Sequence, residues 1–398
     1  MQPSNHVPTS ALDPFSTAFL ENPYRDFDEI RETGPVVWLS QYGVWCSTRY
    51  AEVHEALADW TTFCSGRGVG LVDPTQVKTW RPPSIILEQD PPLHTRMRTI
   101  LMGVLAPEKL RNLRQAFEAE AVRLVDKMID QREIDGVTDV AEAFPLKVFG
   151  DALGLAAEGR KNILSYSSVA FNSFGPDNEV FRKSLENSDE IVAWTMDHCT
   201  RAALKPGSFG AGIFAAVDRG EATEAEATML MRTFMTAGVD TTVNGLSNAL
   251  LCFSRSPDQW DLLRSDVRLA RQAFEEVIRL ESPVQTFFRT ATRNLEFGGQ
   301  SIREGERIIL FLGAANRDAR QWPDPTRFDI RRRAAGHVGF GHGIHGCVGQ
   351  MLARLEGEVM LAALSTKVRA FEPTGRPVQR LNNVLRGLAS LPLRIHPV

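Results

Sequence analysis

The 398 residues suffice for one large core, and 43% hydrophobic against 24% charged residues is the balance of a globular protein. A net charge of −4 without a long basic run excludes a nucleic-acid reader built on charge, and no apolar run is long enough to span a bilayer. Five scattered cysteines (46, 64, 199, 252 and 347), with no Cys-x-x-Cys pair, argue for a reducing compartment and against an iron–sulfur cluster carried on this chain.

Met1 to Asn22 is polar and proline-bearing, without a signal-peptide pattern. The expectation is a cytoplasmic protein forming one domain over 1–398, with a short N-terminal arm at about 1–20. Pro35 to Trp45 reads as two short strands around Gly43. A helix near Tyr50 to Asp59 gives way to 65–83, where Gly66, Gly68, Gly70, Pro74, Pro82 and Pro83 forbid regular structure. Loops this long in a compact domain are functional or disordered. Pro91-Pro92 opens a helix that sets His94 and Arg98, at i and i+4, on one face. Helical periodicity follows over 107–131, 146–155 and much of 160–204, so the chain is mostly α.

The longest helix is predicted to begin after Thr223, since Thr223-x-x-Glu226 is a capping box, and to end at Ser256-Pro257. About thirty residues at about 1.5 Å each make a rod of roughly 45 Å. Its middle, Ala237-Gly238-Val239-Asp240-Thr241-Thr242-Val243, is poor in helix formers, a local conflict that marks a functional turn. Glu276 and Arg279 stand i, i+3 on the next helix, which stops at Ser282-Pro283. Strands are expected at 292–297 and 307–312, followed by Ala315-Asn316-Arg317-Asp318 and a meander through Pro323 and Pro325.

The run Phe340-Gly341-His342-Gly343-Ile344-His345-Gly346-Cys347-Val348-Gly349 precedes an amphipathic stretch to Lys367. A cysteine at a helix N-terminus is expected to favour its thiolate. The glycines let backbone approach something flat and permit positive φ. Gly341-x-Gly343-x-x-Gly346 matches a dinucleotide fingerprint, but no βαβ series accompanies it. His342, His345 and Cys347 lack a fourth zinc ligand. A plain buried cysteine in a turn is the ordinary fate of a lone cysteine.

In fixed order, Ala-Gly-x-Asp-Thr-Thr at 237–242, Glu-x-x-Arg at 276–279, Asn-Arg-Asp at 316–318 and Phe-x-x-Gly-x-x-x-Cys-x-Gly at 340–349 resemble the soluble bacterial cytochrome P450 family over essentially the whole chain. The resemblance implies that family's fold, a mostly α domain with a smaller β-rich portion, and a haem-thiolate monooxygenase holding haem b between the long helix and the cysteine helix. It makes Cys347 the axial ligand of the haem iron, with Phe340, Gly349, Ala237 and Gly238 beside the haem. His94, Arg98, Arg289 and His345 match positions that pair the haem propionates. Asp240 and Thr241 match the acid–alcohol pair that relays protons as dioxygen is cleaved, with the weak turn leaving a groove for dioxygen and water. Glu276 and Arg279 match a buried pair that holds the meander.

Trp80-Arg81-Pro82-Pro83-Ser84, Phe171-Asn172-x-Phe174-Gly175-Pro176 and Ser282 to Arg289 resemble the subfamily that oxidises para-substituted benzoates such as 4-methoxybenzoate. By that likeness Arg81, Ser84, Arg232 and Thr233 receive the carboxylate, while Leu87, Phe171, Phe174, Ala237, Val284 and Phe287 sandwich the ring. Thr233 stands where the subfamily has serine. The implied reaction converts 4-methoxybenzoate to 4-hydroxybenzoate and formaldehyde. It uses O2 and electrons from NAD(P)H delivered by a separate ferredoxin and ferredoxin reductase, because the chain has no recognisable flavin or iron–sulfur module. The same fold acting on a terpene, fatty acid or polyketide is the alternative, and a haem sensor or electron carrier a remoter one. Neither nucleic acid nor membrane is an expected partner.

Overall fold

The computed structural model describes residues 7–398. Of the expected N-terminal arm, residues 1–6 lie outside the described residues. The rest is built into the fold, because β1 (Thr9–Ser10) pairs with β2 (Val37–Leu39), and Phe15 and Phe19 are buried.

Between those strands run α1 (Thr17–Glu21) and α2 (Tyr24–Thr33). β3 (Val44–Ser47), α3 (Tyr50–Ala58) and β4 (Phe63–Cys64) lead into an irregular stretch. Then come α4 (Leu93–Val104), α5 (Pro107–Gln131), β5 (Glu133–Asp135), a π-helical turn at Gly136–Glu142, α6 (Ala143–Leu153) and α7 (Lys161–Asn172). α8 (Glu179–Ser184), α9 (Ser188–His198) and α10 (Phe209–Asp218) precede the longest helix, α11 (Glu224–Arg255), which α12 (Pro257–Ser265) and α13 (Ala270–Glu281) follow. β6 (Thr286–Ala291), β7 (Leu295–Phe297), β8 (Gln300–Ile302), β9 (Arg307–Phe311) and α14 (Leu312–Ala315) lead to the meander. The chain closes with α15 (Gln350–Lys367), β10 (Val368–Pro373), β11 (Val378–Arg380), β12 (Gly387–Ser390) and β13 (Pro392–Pro397). The fold is mostly α, with a smaller β-rich portion. Among the described residues no helix is long and apolar enough to cross a membrane.

One sheet runs β1-β2-β3-β9-β6-β4 and another β10-β13-β5. The single strand expected at 292–297 is corrected. Thr286–Ala291 pairs antiparallel with β9, and the chain turns at 292–294 before the short β7. The run before Thr292 is the part that lies inside the sheet, five of its six residues being buried.

α11 crosses the core, and the capping box is present as the sequence demands, Thr223 Oγ1 accepting from Glu226 N and Glu226 Oε2 from Thr223 N. α11 runs unbroken through 237–243. Thr241 and Thr242 donate their hydroxyls to the carbonyls of Ala237 (2.9 Å) and Gly238 (3.3 Å), back-bonding that competes with the helix ladder at this turn. Gly238 is required by packing, because a Cβ there would lie 2.3 Å from Phe149 Cζ on α6.

Arg279 is fully buried and forks onto Glu276, with Nε and Nη2 at 2.7 and 2.8 Å from its two oxygens. Nη1 donates to the carbonyls of Asn316 (2.7 Å) and Pro325 (2.9 Å), and Arg332 Nε reaches Glu276 at 3.0 Å. Asn316 donates to Ser282 Oγ and accepts from Val338 N. The meander thus hangs from a desolvated ion pair whose remaining donors and acceptors are all used, the condition under which such a pair is tolerated. It delivers the chain to the cysteine loop. The 65–83 loop is likewise held through its backbone. Arg307 donates to the carbonyls of Arg67 and Gly68, and Leu71 N donates to Phe174 O.

Candidate active site

The cysteine loop crosses itself tightly. Cys347 N donates to Phe340 O at 2.7 Å, and Gly341 and Gly343 take φ of 70° and 66°. At Gly343 a Cβ would stand 2.5 Å from Leu57 O, so the loop lies directly on α3. Cys347 is half-buried, just ahead of α15, whose N-cap is Gly349. A Cβ on Gly349 would lie 3.9 Å from the cysteine sulfur, so its own N–H is left close to that sulfur.

Burial pushes the Cys347 thiol up, and the opposing pull of the Gly349 and Gln350 N–H groups and of Arg98 and Arg354 does not prevail. A cation bonded to the sulfur would reverse the balance, because a coordinated thiol is deprotonated outright. The zinc arrangement does not form. His342 stacks on His54 at 3.8 Å, and among the described residues no three His, Cys, Asp or Glu side chains gather to hold a metal ion.

Above this loop lie polar groups that the protein leaves unanswered. His94 and His345 pack ring to ring at 4.4 Å, and both ring nitrogens of His94, with Nε2 of His345, are buried without a hydrogen-bond partner among the described residues. The Asp90 carboxylate is 3.8 Å from His345, too far to bond it directly. Burial, with the charges of His345 and Arg98, holds His94 down to about 4, so it stays neutral at pH 7. Arg289 is 2% exposed and donates to its neighbour's carbonyl, Phe288 O. Burial lowers it only to about 10, and its charge and that of Arg98 both reach His345. Ala237 is exposed although it lies in the middle of the core helix. Arg354 lies over the Phe340 ring at 4.7 Å, bracing the loop. A thiol, two unpartnered histidines, two cations and an exposed alanine on a core helix fit a large planar group carrying carboxylates.

Asp240 does not face this space alone. It is completely buried, and Oδ1 accepts from Arg380 Nη2, while Oδ2 has no partner among the described residues. Arg380, on β11, also donates to Asn244 Oδ1 at 2.9 Å. It was not found by reading the sequence, since nothing local ties residues 240 and 380 together.

A second cavity adjoins Ala237. Arg81, Ser84, Leu87, Phe171, Phe174, Arg232, Thr233 and Ala237 all line it, whereas Val284 and Phe287 pack into the aromatic group beside it. Ser84 Oγ and Thr233 Oγ1 meet at 3.2 Å. Arg232 is buried and donates to Pro82 O at 3.1 Å, tying the 65–83 loop to α11. Arg81 pairs with Glu88 at 2.8 Å. Tyr166 also lines the wall, and burial pushes its hydroxyl up, keeping it neutral. Tyr166 went unread in the sequence because it comes from a separate segment, and Glu88 because the irregular chain between it and Arg81 has no period that would pair them.

Comparison with known proteins agrees with this architecture. The cytochrome P450 family model matches residues 213–395. The chain is 51% identical to cytochrome p450 CYP199A2 of Rhodopseudomonas palustris, covering 99% of this chain and 97% of that one. It is 30% identical to linalool 8-monooxygenase of Pseudomonas putida, over 94% and 96%. Among solved structures, cytochrome P450 CREJ in complex with (4-ethylphenyl) dihydrogen phosphate superposes with a TM-score of 0.87 at 26% identity, over 96% and 99% of the two chains. CYP109Q5 from Chondromyces apiculatus gives 0.82 at 28%, over 99% and 100%.

Proposed function

The chain belongs to the cytochrome P450 family, close to the CYP199 group, and is a haem b monooxygenase; on that premise we propose that its substrate is a small para-substituted benzoate, O-demethylated when the substituent is methoxy. What supports this reading is one cavity lined by two arginines, by hydroxyls that include those of Ser84 and Thr233, by aromatic side chains and by Ala237 of the central helix.

Haem, when bound, supplies dioxygen activation by two electrons that redox partner proteins bring. Cys347 would hold it from below, with His94, Arg98, Arg289 and His345 toward its carboxylates. The chain's own residues then bind and aim. Arg81 and Arg232 neutralise a carboxylate, Ser84 and Thr233 offer it hydroxyl donors, and Phe171 and Phe174 flank the ring. A para group anchored in this way is held toward the haem side, which is catalysis by positioning. One oxygen atom enters a methyl C–H bond, the other leaves as water with two protons, and the hemiacetal formed breaks to 4-hydroxybenzoate and formaldehyde. Thr241, whose hydroxyl donates to Ala237 O, and Asp240 are the residues proposed to pass those protons. The partner proteins are proposed to be a ferredoxin and its NAD(P)H-dependent reductase, and the setting the cytoplasm.

Titrating the holoenzyme with 4-methoxybenzoate should give a high-spin shift, and turnover should release formaldehyde in step with NADH use. A shift with linalool and none with the benzoate would overturn the reading.

A further inference from the structure

A carboxylate already stands at the anion-binding end of the second cavity. Glu88, 5% exposed, places Oε2 at 2.8 Å from Arg81 Nη1 and at 2.7 Å from Ser84 N. Arg81 lies over the Phe174 ring at 4.7 Å, so the pair is set against the cavity wall and not in bulk water. An exposed ion pair contributes little, but a buried one fixes the charge that an incoming ligand meets.

That charge can be counted. Arg81 and Arg232 line the cavity, and Glu88 cancels one of them. Tyr166 and Cys199, near Arg232, are both held neutral by burial, Cys199 pushed up to about 12. Arg307 also senses Glu88, but its guanidinium is committed to the carbonyls of Arg67, Gly68 and Gly70, and it does not line the cavity. One net positive charge is left in a space whose other lining is uncharged.

Resting on the carboxylate reading above, we infer that Glu88 is a specificity-determining residue that sets this site to ligands of a single negative charge. A monoanion brings the buried cluster to neutrality, whereas a dianion of the same shape leaves one negative charge desolvated and unpaired, which the interior penalises heavily. Glu88 also fixes the Ser84 N–H and the orientation of Arg81. A glutamine keeps an acceptor for both donors while removing the charge.

The test compares two ligands that share a para-methoxyphenyl body. 4-Methoxybenzoate stays a monoanion across neutral pH, while 4-methoxyphenylphosphonate passes from monoanion to dianion. Affinities for the holoenzyme are measured by calorimetry and by the spin shift, on both sides of that ionisation. In the wild type the phosphonate should lose affinity relative to the benzoate by about tenfold or more as it becomes a dianion. In Glu88→Gln the loss should vanish or reverse, and the benzoate should bind more tightly. A flat wild-type ratio, or a variant that loses affinity for both ligands alike, would overturn the inference while leaving the benzoate reading standing. The wild-type series decides the matter even if the variant does not fold. A wild type that binds neither ligand would remove the benzoate reading and this inference together.

Discussion

Arg380 of β11 puts its guanidinium on the buried carboxylate of Asp240 and on the side-chain oxygen of Asn244, one turn further along α11. Its side chain is 23% exposed while that of Asp240 is 0%, so it links the interior acid to the molecular surface. On the proposed reading, protons reaching Thr241 pass this pair. Arg380→Leu should slow formaldehyde release from 4-methoxybenzoate by about tenfold or more, with the carbon monoxide difference spectrum unchanged. Arg380→Lys, which keeps the charge, should restore part of the rate. Wild-type turnover in Arg380→Leu would exclude the role.

Arg81→Ala removes a cation and also leaves Glu88 buried without its partner, so an incoming carboxylate meets repulsion where it had met attraction. Affinity for 4-methoxybenzoate should fall by about a hundredfold, while haem content stays near the wild-type level. Spectral titration and pyridine haemochrome measure the two quantities separately, and equal losses would make Arg81 structural.

Glu275 reports on acid stability. Burial raises its pKa, but hydrogen bonds from His337 and Arg354 prevail and hold it down at about 2, against an ordinary 4.5. A depressed folded-state pKa stabilises the fold above the unfolded value, and that stability is lost as the pH falls through the folded one. The window is therefore pH 4.5 to about 2, and the contribution about 2–3 kcal/mol. Urea midpoints of the holoprotein should fall across that window in the wild type and fall less steeply in Glu275→Gln.

Gly238→Ala isolates a packing term. Alanine in a helix is ordinarily worth about 1 kcal/mol over glycine, yet here the added carbon meets Phe149 at 2.3 Å. The clash should win, destabilising the protein by about 1–3 kcal/mol in thermal or urea unfolding. Adding Phe149→Leu should recover much of the loss. A stabilised single variant would show that Phe149 can move aside.

Features that lie close together in sequence were readable from it. The capping box at Thr223 and Glu226, the helix over 107–131, the loop around Cys347 and the Glu276–Arg279 pair each fit within a few turns of chain. Eight of the expected ligand-facing side chains line one cavity, and they come from three stretches of chain, 81–87, 171–174 and 232–237. The unread parts depend on distant register. Arg380 meets Asp240 only because β11 and β12 pack beside α11, and Glu88 meets Arg81 only through the folding of an irregular loop. A sequence displays the helix end at Cys347 but not the desolvation that opposes its pull on the thiol.

Arg232 and Thr241 ride the same unbroken helix, and the nine residues from 232 to 241 climb about 13 Å. A rod of that kind is a ruler with both marks engraved on one piece of material. On the proposed reading, acids too short for the interval would leave their far end out of reach and longer ones would have to buckle, so the span of α11 itself would gauge which molecules are oxidised.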